Sequence, residues 1–141
     1  MIYKPTLKNI NLCKSFAIKC AKTNLYCYST RQQSNINKIQ QDIFYGKLAE
    51  IAVFYYIKSL NLNPSIPDFK IYSTNKKSFI ADLIANETQY HIKCQSNKSA
   101  IQFGVSWLFD PKDKPIGKLV LCSINENTLE VNIKYIVDAN F

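Results

Sequence analysis

The 141-residue chain has no apolar run long enough to cross a membrane. Its longest such run, residues 51–57, has seven residues, whereas a transmembrane helix needs about 20. The N-terminal region carries a lysine within its first four residues but no uninterrupted apolar stretch, so we expect no signal peptide. These absences predict a soluble, intracellular protein of the cytoplasm or nucleoid.

Cysteine and histidine patterns typical of zinc sites are also missing. The five cysteines include no CxxC pair, and His91 is the single histidine, so we expect no structural zinc. An odd number of cysteines without a secretory context indicates free thiols. Cys13, Cys20 and Cys27 recur every seven residues, which predicts one helical stripe of thiols acting as small buried apolar groups.

Acidic residues are absent from the first third of the chain. Residues 1–41 hold six lysines and one arginine without any acid, a net charge of +7 out of +8 for the whole chain. A basic segment of this kind is typical of a protein that binds a phosphate backbone. The alternative is a solubilising surface, because 17 lysines to one arginine also fits A/T-rich codon usage. The candidate nucleic-acid contacts are Lys14, Lys19, Lys22, Arg31, Lys38, Lys98, Lys112 and Lys114.

Two long helices are predicted before any strand. Apolar residues three and four apart predict helices over 6–23 and 37–60. The polar stretch 28–37 between them indicates a loop, and two prolines in 61–67 end the second helix. No internal repeat or low-complexity linker is present, and the length suits a single domain with one core.

The rest of the chain predicts strands. A short helix is expected within 99–109, followed by a turn rich in proline and lysine at 110–117. The order ααβββ(α)ββ predicts an α/β (α+β) fold in which helices flank a mixed central sheet of about five strands. The predicted strands are 68–74, 79–86, 88–95, 118–125 and 130–137, and the second and third form a hairpin.

Glu50 is the first candidate functional residue. It lies seven residues from both Ile43 and Ile57 and therefore faces the buried side of the second helix. A carboxylate there must be paired, metal-bound or at a cleft, because an isolated buried charge is costly. The alternative is a half-exposed position at the edge of the apolar stripe. Gly46, one turn earlier, would let a sheet or a ligand come close.

Asp82 is the second candidate, inside the apolar, strand-like run 79–85. An aspartate there opposes both strand propensity and burial, a conflict that is typical of functional sites. The alternative is an aspartate at a strand edge that caps a neighbouring turn.

A row of polar residues follows on the next predicted strand. Alternation with period two places odd-numbered residues on one face and even-numbered residues on the other. The polar face either meets solvent or presents donors and acceptors beside Asp82. The polar row consists of Gln89, His91, Lys93 and Gln95, and the apolar row of Tyr90, Ile92 and Cys94.

A helix Glu, a strand Asp and a Lys on the next strand suit metal-assisted hydrolysis of a phosphodiester. Mg²⁺ requires hard oxygen ligands, which Asp82 and Glu50 could supply. The reaction also needs a positive group that orients water and offsets the charge developing on the phosphorane, a role open to Lys93.

These residues resemble the PD-(D/E)XK nuclease superfamily of restriction-endonuclease-like proteins. The match is Gly46-(x)₃-Glu50 on a helix, then Asp82, then His91-Ile92-Lys93-Cys94-Gln95 where the family has (D/E)-x-K, often followed by Gln. It spans roughly residues 41–125. The resemblance implies a restriction-endonuclease-like core over 42–141, preceded by the basic helical segment 1–41.

The resemblance also implies residue roles. Asp82 would be the central metal ligand, Lys93 the catalytic lysine, Glu50 an additional ligand and Gln95 an accessory residue. The sequence departs from the family at His91, where a second metal-binding carboxylate is usual; imidazole suits Mn²⁺ better than Mg²⁺. Either Glu50 substitutes, or His91 acts as ligand or base, or the site is weakened or inactive. Asp68, in the literal Pro67-Asp68, is a second-choice ligand.

The expected function is therefore that of a Mg²⁺-dependent (or Mn²⁺-dependent) endodeoxyribonuclease that acts on DNA as a homodimer, with RNA as an alternative substrate. A second reading is a nucleic-acid-binding module of the same fold without catalysis, and a third is a domain that binds an acidic protein partner. The sole tryptophan, Trp107, lies in an aromatic stretch that either packs in the core or forms a loop stacking on a base.

Overall fold

The structure, a computed structural model, describes residues 1–29, 35–71, 81–107 and 116–139, with the backbone alone for 24–29. Within these ranges the fold is mixed α/β, which confirms the expected class. No helix in them is long and apolar enough to cross a membrane. The elements, in chain order, are β1 (Ile2–Tyr3), α1 (Leu7–Ser29), α2 (Ile36–Ser59), β2 (Leu83–Ala85), β3 (Thr88–Ser96), α3 (Asn97–Phe103), β4 (Lys118–Ile124) and β5 (Val131–Asp138).

The five strands form one mixed sheet in the order β1-β5-β4-β3-β2. Neighbouring strands are antiparallel except β3 and β4, which run parallel from the pair Tyr90↔Lys118 to the pair Ser96↔Ile124. Parallel neighbours require a crossover connection, and α3 lies in that connection.

The long helix α2 agrees with the predicted helix 37–60 within one residue at each end. The Asn35 side chain caps its first turn by accepting hydrogen bonds from the N–H groups of Asn37 and Lys38, at 3.0 and 3.3 Å. Leu60 ends the helix, and its N–H returns to the carbonyl of Ile57. Helix α1 runs to Ser29, beyond the predicted end at residue 23, so residues 28 and 29 of the predicted loop are helical.

The core lies between α1, α2 and one face of the sheet. From α1 it receives Cys13 and Ala17, whose small side chains are fully buried and let the two helices approach closely. The sheet contributes residues such as Leu83, Val120 and Cys122 to the same cluster. Cys13, Cys94 and Cys122 are free thiols, as expected.

The origin of the fifth strand differs from the prediction. Residues 68–71, the described part of the predicted strand 68–74, have no regular secondary structure. The predicted strand 79–86 is shortened to β2, with its first two residues outside the described ranges. The fifth strand is instead β1, which pairs with β5 through Ile2↔Asn132 and Tyr3↔Val131. Two residues are too few to show a periodicity, so β1 leaves no signal in the sequence.

Candidate functional site

Asp82 lies immediately before β2, at the open end of the β2–β3 hairpin. Asn86 and Glu87 form the turn with φ of 49° and 64°, the paired positive values of a two-residue hairpin that follows the twist of its strands. The hairpin predicted from the sequence is thus confirmed. Its register pairs Leu83 with Tyr90; continued by one residue, it sets Asp82 opposite His91 and on the same face of the sheet.

The carboxylate of Asp82 is held by the neighbouring strand. Its Oδ2 accepts a hydrogen bond from the N–H of Ile92 at 2.7 Å. Among the described residues, this N–H is the one hydrogen-bond partner of the carboxylate, so Oδ1 keeps its capacity to accept. The bond joins the carboxylate to strand β3 and not to a turn, and it holds the carboxylate at Ile92, between His91 and Lys93 in the sequence.

Strand β3 divides its side chains as the alternation predicted. Tyr90, Ile92 and Cys94 belong to the core cluster or pack against it. The polar residues occupy the other face, and all of them are half-buried. A ligand on that face would therefore meet donors and acceptors held at the surface.

His91 has a defined hydrogen-bond geometry. Its Nε2 lies 3.1 Å from the carbonyl oxygen of Ile116. Because a carbonyl only accepts, Nε2 carries the hydrogen in this contact, and in the neutral imidazole Nδ1 then has the lone pair. Metal-binding histidines typically donate their other N–H to a carbonyl or carboxylate in this way. Nδ1 of His91 could therefore act as a metal ligand or as a general base. Nε2 forms a hydrogen bond that joins β3 to the segment before β4.

Gln95 uses both ends of its amide to hold a loop. Its Nε2 donates to the carbonyl of Gly104 at 2.9 Å, and its Oε1 accepts from the N–H of Ser106 at 3.0 Å. Gly104 has a φ of 85°, which favours glycine at this position. Through these two hydrogen bonds, Gln95 fixes the position of the loop that follows α3.

Glu50 belongs to a different set of contacts. It is 7% exposed, and its Oε2 lies 2.8 Å from Nζ of Lys47. Lys47 also donates to the backbone carbonyl of Asp68, and its Nζ lies 4.8 and 5.3 Å from the ring centroids of Phe16 and Phe69. Of the three possibilities for a buried carboxylate at this position, pairing is what the structure shows.

Lys47 was missed as a candidate from the sequence, although a signal existed. A lysine three residues before a glutamate, inside an apolar stretch of helix, can only be buried as a pair. The pair faces α1: burial raises the pKa of the Cys13 thiol to about 12, the charge of Lys47 lowers it and the charge of Glu50 raises it. A Cβ at Gly46 would meet no described atom within 4 Å, so no described strand approaches this glycine closely.

The expected metal ligands do not form a cluster of three. In the described parts of the chain, no group of three or more His, Cys, Asp or Glu side chains is placed to hold a metal ion. Mg²⁺ is often bound by one or two carboxylates together with waters and substrate phosphates. Asp82 and Nδ1 of His91, on the same sheet face, fit this less demanding arrangement. Asp68 accepts the N–H of Lys70 through Oδ1 at 2.8 Å.

The candidate nucleic-acid contacts lie at the surface where the structure describes them. Lys14, Lys19 and Lys22 are exposed on α1. Lys38 is exposed at the start of α2 and pairs with Asp42 at 2.6 Å. Lys98 is also exposed. Arg31, Lys112 and Lys114 lie outside the described residues.

A groove of about 450 Å³ lies beside Lys14, between the two long helices and the β4–β5 turn. Gln41, Tyr45 and Glu126 are among its lining residues. It places amide, hydroxyl and carboxylate groups next to one of the candidate lysines.

No protein-family model matches the chain, and neither a curated protein nor a solved structure does. The fold and the site define the class of the protein. It is a mixed α/β protein in which the Asp82 carboxylate, just before β2, accepts a hydrogen bond from β3, a strand with one polar face. The restriction-endonuclease-like core and the single-domain organisation stay predictions from the sequence.

Proposed function

We propose that this protein is a metal-dependent DNA endonuclease that hydrolyses phosphodiester bonds at Asp82, His91 and Lys93. The observation that supports the proposal most is the 2.7 Å bond from the N–H of Ile92 to Oδ2 of Asp82. It holds a carboxylate against the backbone of β3 at Ile92, the residue between His91 and Lys93 in the sequence.

The three residues would divide the chemistry. Asp82, through Oδ1, would hold Mg²⁺ or Mn²⁺ together with waters and phosphate oxygens, and Nδ1 of His91 would favour Mn²⁺. The ion, when bound, would stabilise charge on the phosphate. The ammonium of Lys93 would orient water and offset negative charge. Glu50, whose Oε2 is bound by Lys47 at the contact of α1 and α2, has no role in this proposal.

The exposed lysines of α1 would supply contacts to the phosphate backbone. Lys8, Lys19 and Lys22 are exposed, and helical spacing puts them on the side opposite the buried Cys13 and Ala17. Lys8 and Lys19 are eleven residues apart in a helix, about 16 Å, which spans about five phosphates along one strand of B-DNA. A homodimer would present two such sites to the two strands.

The test is cleavage of supercoiled plasmid DNA with Mg²⁺ or Mn²⁺. We expect Asp82→Asn and Lys93→Met each to lower the rate by about 100-fold or more. Asp82→Asn retains an oxygen that can accept from Ile92, so its effect reports the charge. The matched control is Lys58→Met, which removes an exposed lysine at the end of α2 and should leave the rate unchanged. Undiminished cleavage by both site variants would reject the proposal.

A second candidate function is a nucleic-acid-binding module without catalysis. It is favoured by the imidazole at position 91, where the nuclease motif has a carboxylate. It is also favoured by the hydrogen bonds that His91 and Gln95 make to backbone groups, because these bonds give both side chains a role in the fold. This function predicts binding that weakens steeply with salt in EDTA. It also predicts no cleavage in any divalent ion and no heat of metal binding. Parallel titrations with DNA and RNA duplexes would identify the preferred nucleic acid.

A further inference from the structure

Two aromatic rings form a nearly perpendicular pair on the face of the sheet away from the core. The ring centroids of Trp107 and Tyr135 are 6.0 Å apart, with an angle of 83° between the planes. Nε1 of Trp107 donates to the carbonyl of Cys122 at 2.9 Å. Tyr135 is 56% exposed. The indole ring of Trp107, held by its hydrogen bond, thus packs against the solvent-exposed ring of Tyr135.

The sheet register places this pair on the same face as Lys93. Leu121 of β4 pairs with Lys93 on one side and with Tyr135 on the other. Paired residues point to the same face, and neighbouring strands lie about 4.8 Å apart. The backbones of Lys93 and Tyr135 are therefore about 10 Å apart. The proposed cleavage site and the aromatic pair share one surface.

An irregularity in β5 adds a cation to this surface. The register of β4 and β5 shifts between Leu121 and Cys122, so that Leu121 pairs with Tyr135 and Cys122 with Ile133. The residue between, Lys134, is the extra one, and both Lys134 and Tyr135 are exposed. Bulges of this kind redirect side chains that would otherwise alternate between faces. An ammonium and an aromatic ring thus stand side by side, as a nucleotide's phosphate and base require.

The loop that carries Trp107 is held from two directions. The Gln95 amide bonds Gly104 and Ser106, and the indole N–H bonds Cys122. Three hydrogen bonds therefore fix the ring before any ligand arrives, which reduces the entropy lost on binding.

We infer that Tyr135 and Trp107 stack an unpaired nucleobase of a single-stranded nucleic acid, whose phosphates contact Lys134 and Lys93. A planar base can stack on one ring and meet the edge or face of the other, because the two planes are perpendicular. A base inside a duplex is already stacked and does not offer its faces. This inference rests on the proposed function, which makes the ligand a nucleic acid. It adds that the substrate carries a single-stranded segment.

Trp107 is the sole tryptophan, so its fluorescence reports directly on this pair. The experiment titrates the full chain in EDTA and low salt with a twelve-residue oligothymidylate and, separately, with an abasic oligomer of equal length. We expect quenching and tight binding with oligothymidylate alone. Tyr135→Ala should weaken that binding about 5- to 150-fold without changing the salt slope, because no charge is removed.

Three further variants keep the result interpretable. Tyr135→Leu retains apolar bulk without a ring and should behave as the alanine variant does, whereas Tyr135→Phe should bind as the wild type. Tyr55→Ala, which removes another exposed tyrosine, on α2, is the matched control and should also bind normally. Denaturant unfolding of each variant would show whether it is folded.

Equal affinity for the two oligomers, or unchanged affinity in folded Tyr135→Ala and Tyr135→Leu, would overturn the inference. Because these titrations contain no metal ion, their result is independent of cleavage. Stacking without cleavage would refute the proposed function alone, and cleavage without stacking would refute this inference alone.

Discussion

The carboxylates of Glu50 and Asp82 are compensated in different ways in two regions of the molecule. Glu50 is buried at the contact of α1 and α2, and it meets a full positive charge, the ammonium of Lys47, at 2.8 Å. Asp82 is half-buried beside β3, and it meets the dipole of a single backbone N–H at 2.7 Å. Glu50 is thus paired with an opposite charge, whereas among the described residues Asp82 is held by a backbone N–H alone.

This difference separates a stabilising role from a binding role. A buried ion pair depends on both partners, because either one left alone is an uncompensated charge in a medium of low dielectric. A carboxylate held by a backbone N–H keeps a net negative charge that can attract a cation. The Glu50 region should therefore dominate stability, and the Asp82 region should dominate chemistry.

Removing Lys47 should produce the largest loss of stability. We expect Lys47→Met to lower the free energy of unfolding by about 3–5 kcal/mol, because the buried Glu50 loses the ammonium that lies 2.8 Å from its Oε2. Denaturant unfolding measures this loss. The same substitution at the exposed Lys58 is the control and should change stability by less than about 0.5 kcal/mol.

The double variant Lys47→Met with Glu50→Leu sharpens the result. It removes both charges, so we expect it to recover much of the lost stability. The bond from Lys47 to the carbonyl of Asp68 is not restored, which limits the recovery. A double variant less stable than Lys47→Met alone would contradict the view that a buried Glu50 carboxylate without Lys47 causes the loss.

Variants of Asp82 should separate stability from activity. Asp82→Ala removes the acceptor of the Ile92 N–H, a loss of about 1–3 kcal/mol. Asp82→Asn keeps an acceptor, so we expect it to lose less than about 1 kcal/mol, although its cleavage rate should fall by about 100-fold or more, as proposed above.

Hydrogen exchange of the Ile92 amide would confirm the mechanism. Exchange should accelerate in Asp82→Ala relative to Asp82→Asn, because the alanine variant alone leaves this N–H without its acceptor. Equal exchange rates in the two variants would show that Oδ2 of Asp82 does not protect the amide.

Elements with a local pattern were predictable from the sequence. Helix α2 and the β2–β3 hairpin follow from apolar spacing and turn residues that lie within a single stretch of chain. The short strand β1 does not, because it is a strand only through its pairing with β5. The described residues 68–71 form no strand: Lys47 of α2 donates to the backbone carbonyl of Asp68, a contact made outside the sheet.

In the candidate site too, features with a local sequence pattern were predictable and contacts between distant segments were not. Alternation along β3 was enough to predict which face His91 and Lys93 share, and the hairpin was enough to bring Asp82 to β3, where it accepts from Ile92. The surroundings of Lys47 were not predictable, because Phe16 and Phe69 come from segments far apart in the sequence. Such contacts are set by tertiary packing, on which local periodicity carries no information.

Glu126 offers the smallest test of the comparison between Glu50 and Asp82. Like Asp82, it is a carboxylate that accepts hydrogen bonds from backbone N–H groups. Its Oε1 accepts from the N–H of Lys98 at 2.6 Å, in the first turn of α3. Partial burial raises the pKa of the Glu126 carboxyl. Hydrogen bonds from the N–H groups of Lys98 and Glu126 and from Ser96 outweigh burial, so the pKa lies below its ordinary 4.5.

The sign of the pH dependence follows from that lowered pKa. A carboxyl whose pKa is lower in the folded state stabilises the fold above the unfolded pKa, about 4.5, and loses this contribution as the pH falls through the folded value. We expect Glu126→Gln to cost less than about 1 kcal/mol at pH 6, because the group is partly exposed to solvent. At pH 3 the difference from the wild type should shrink. Unfolding curves at the two pH values measure it. A difference that grew towards pH 3 would mean that backbone N–H groups do not stabilise this carboxylate, and the same reading of Asp82 would then lose its support.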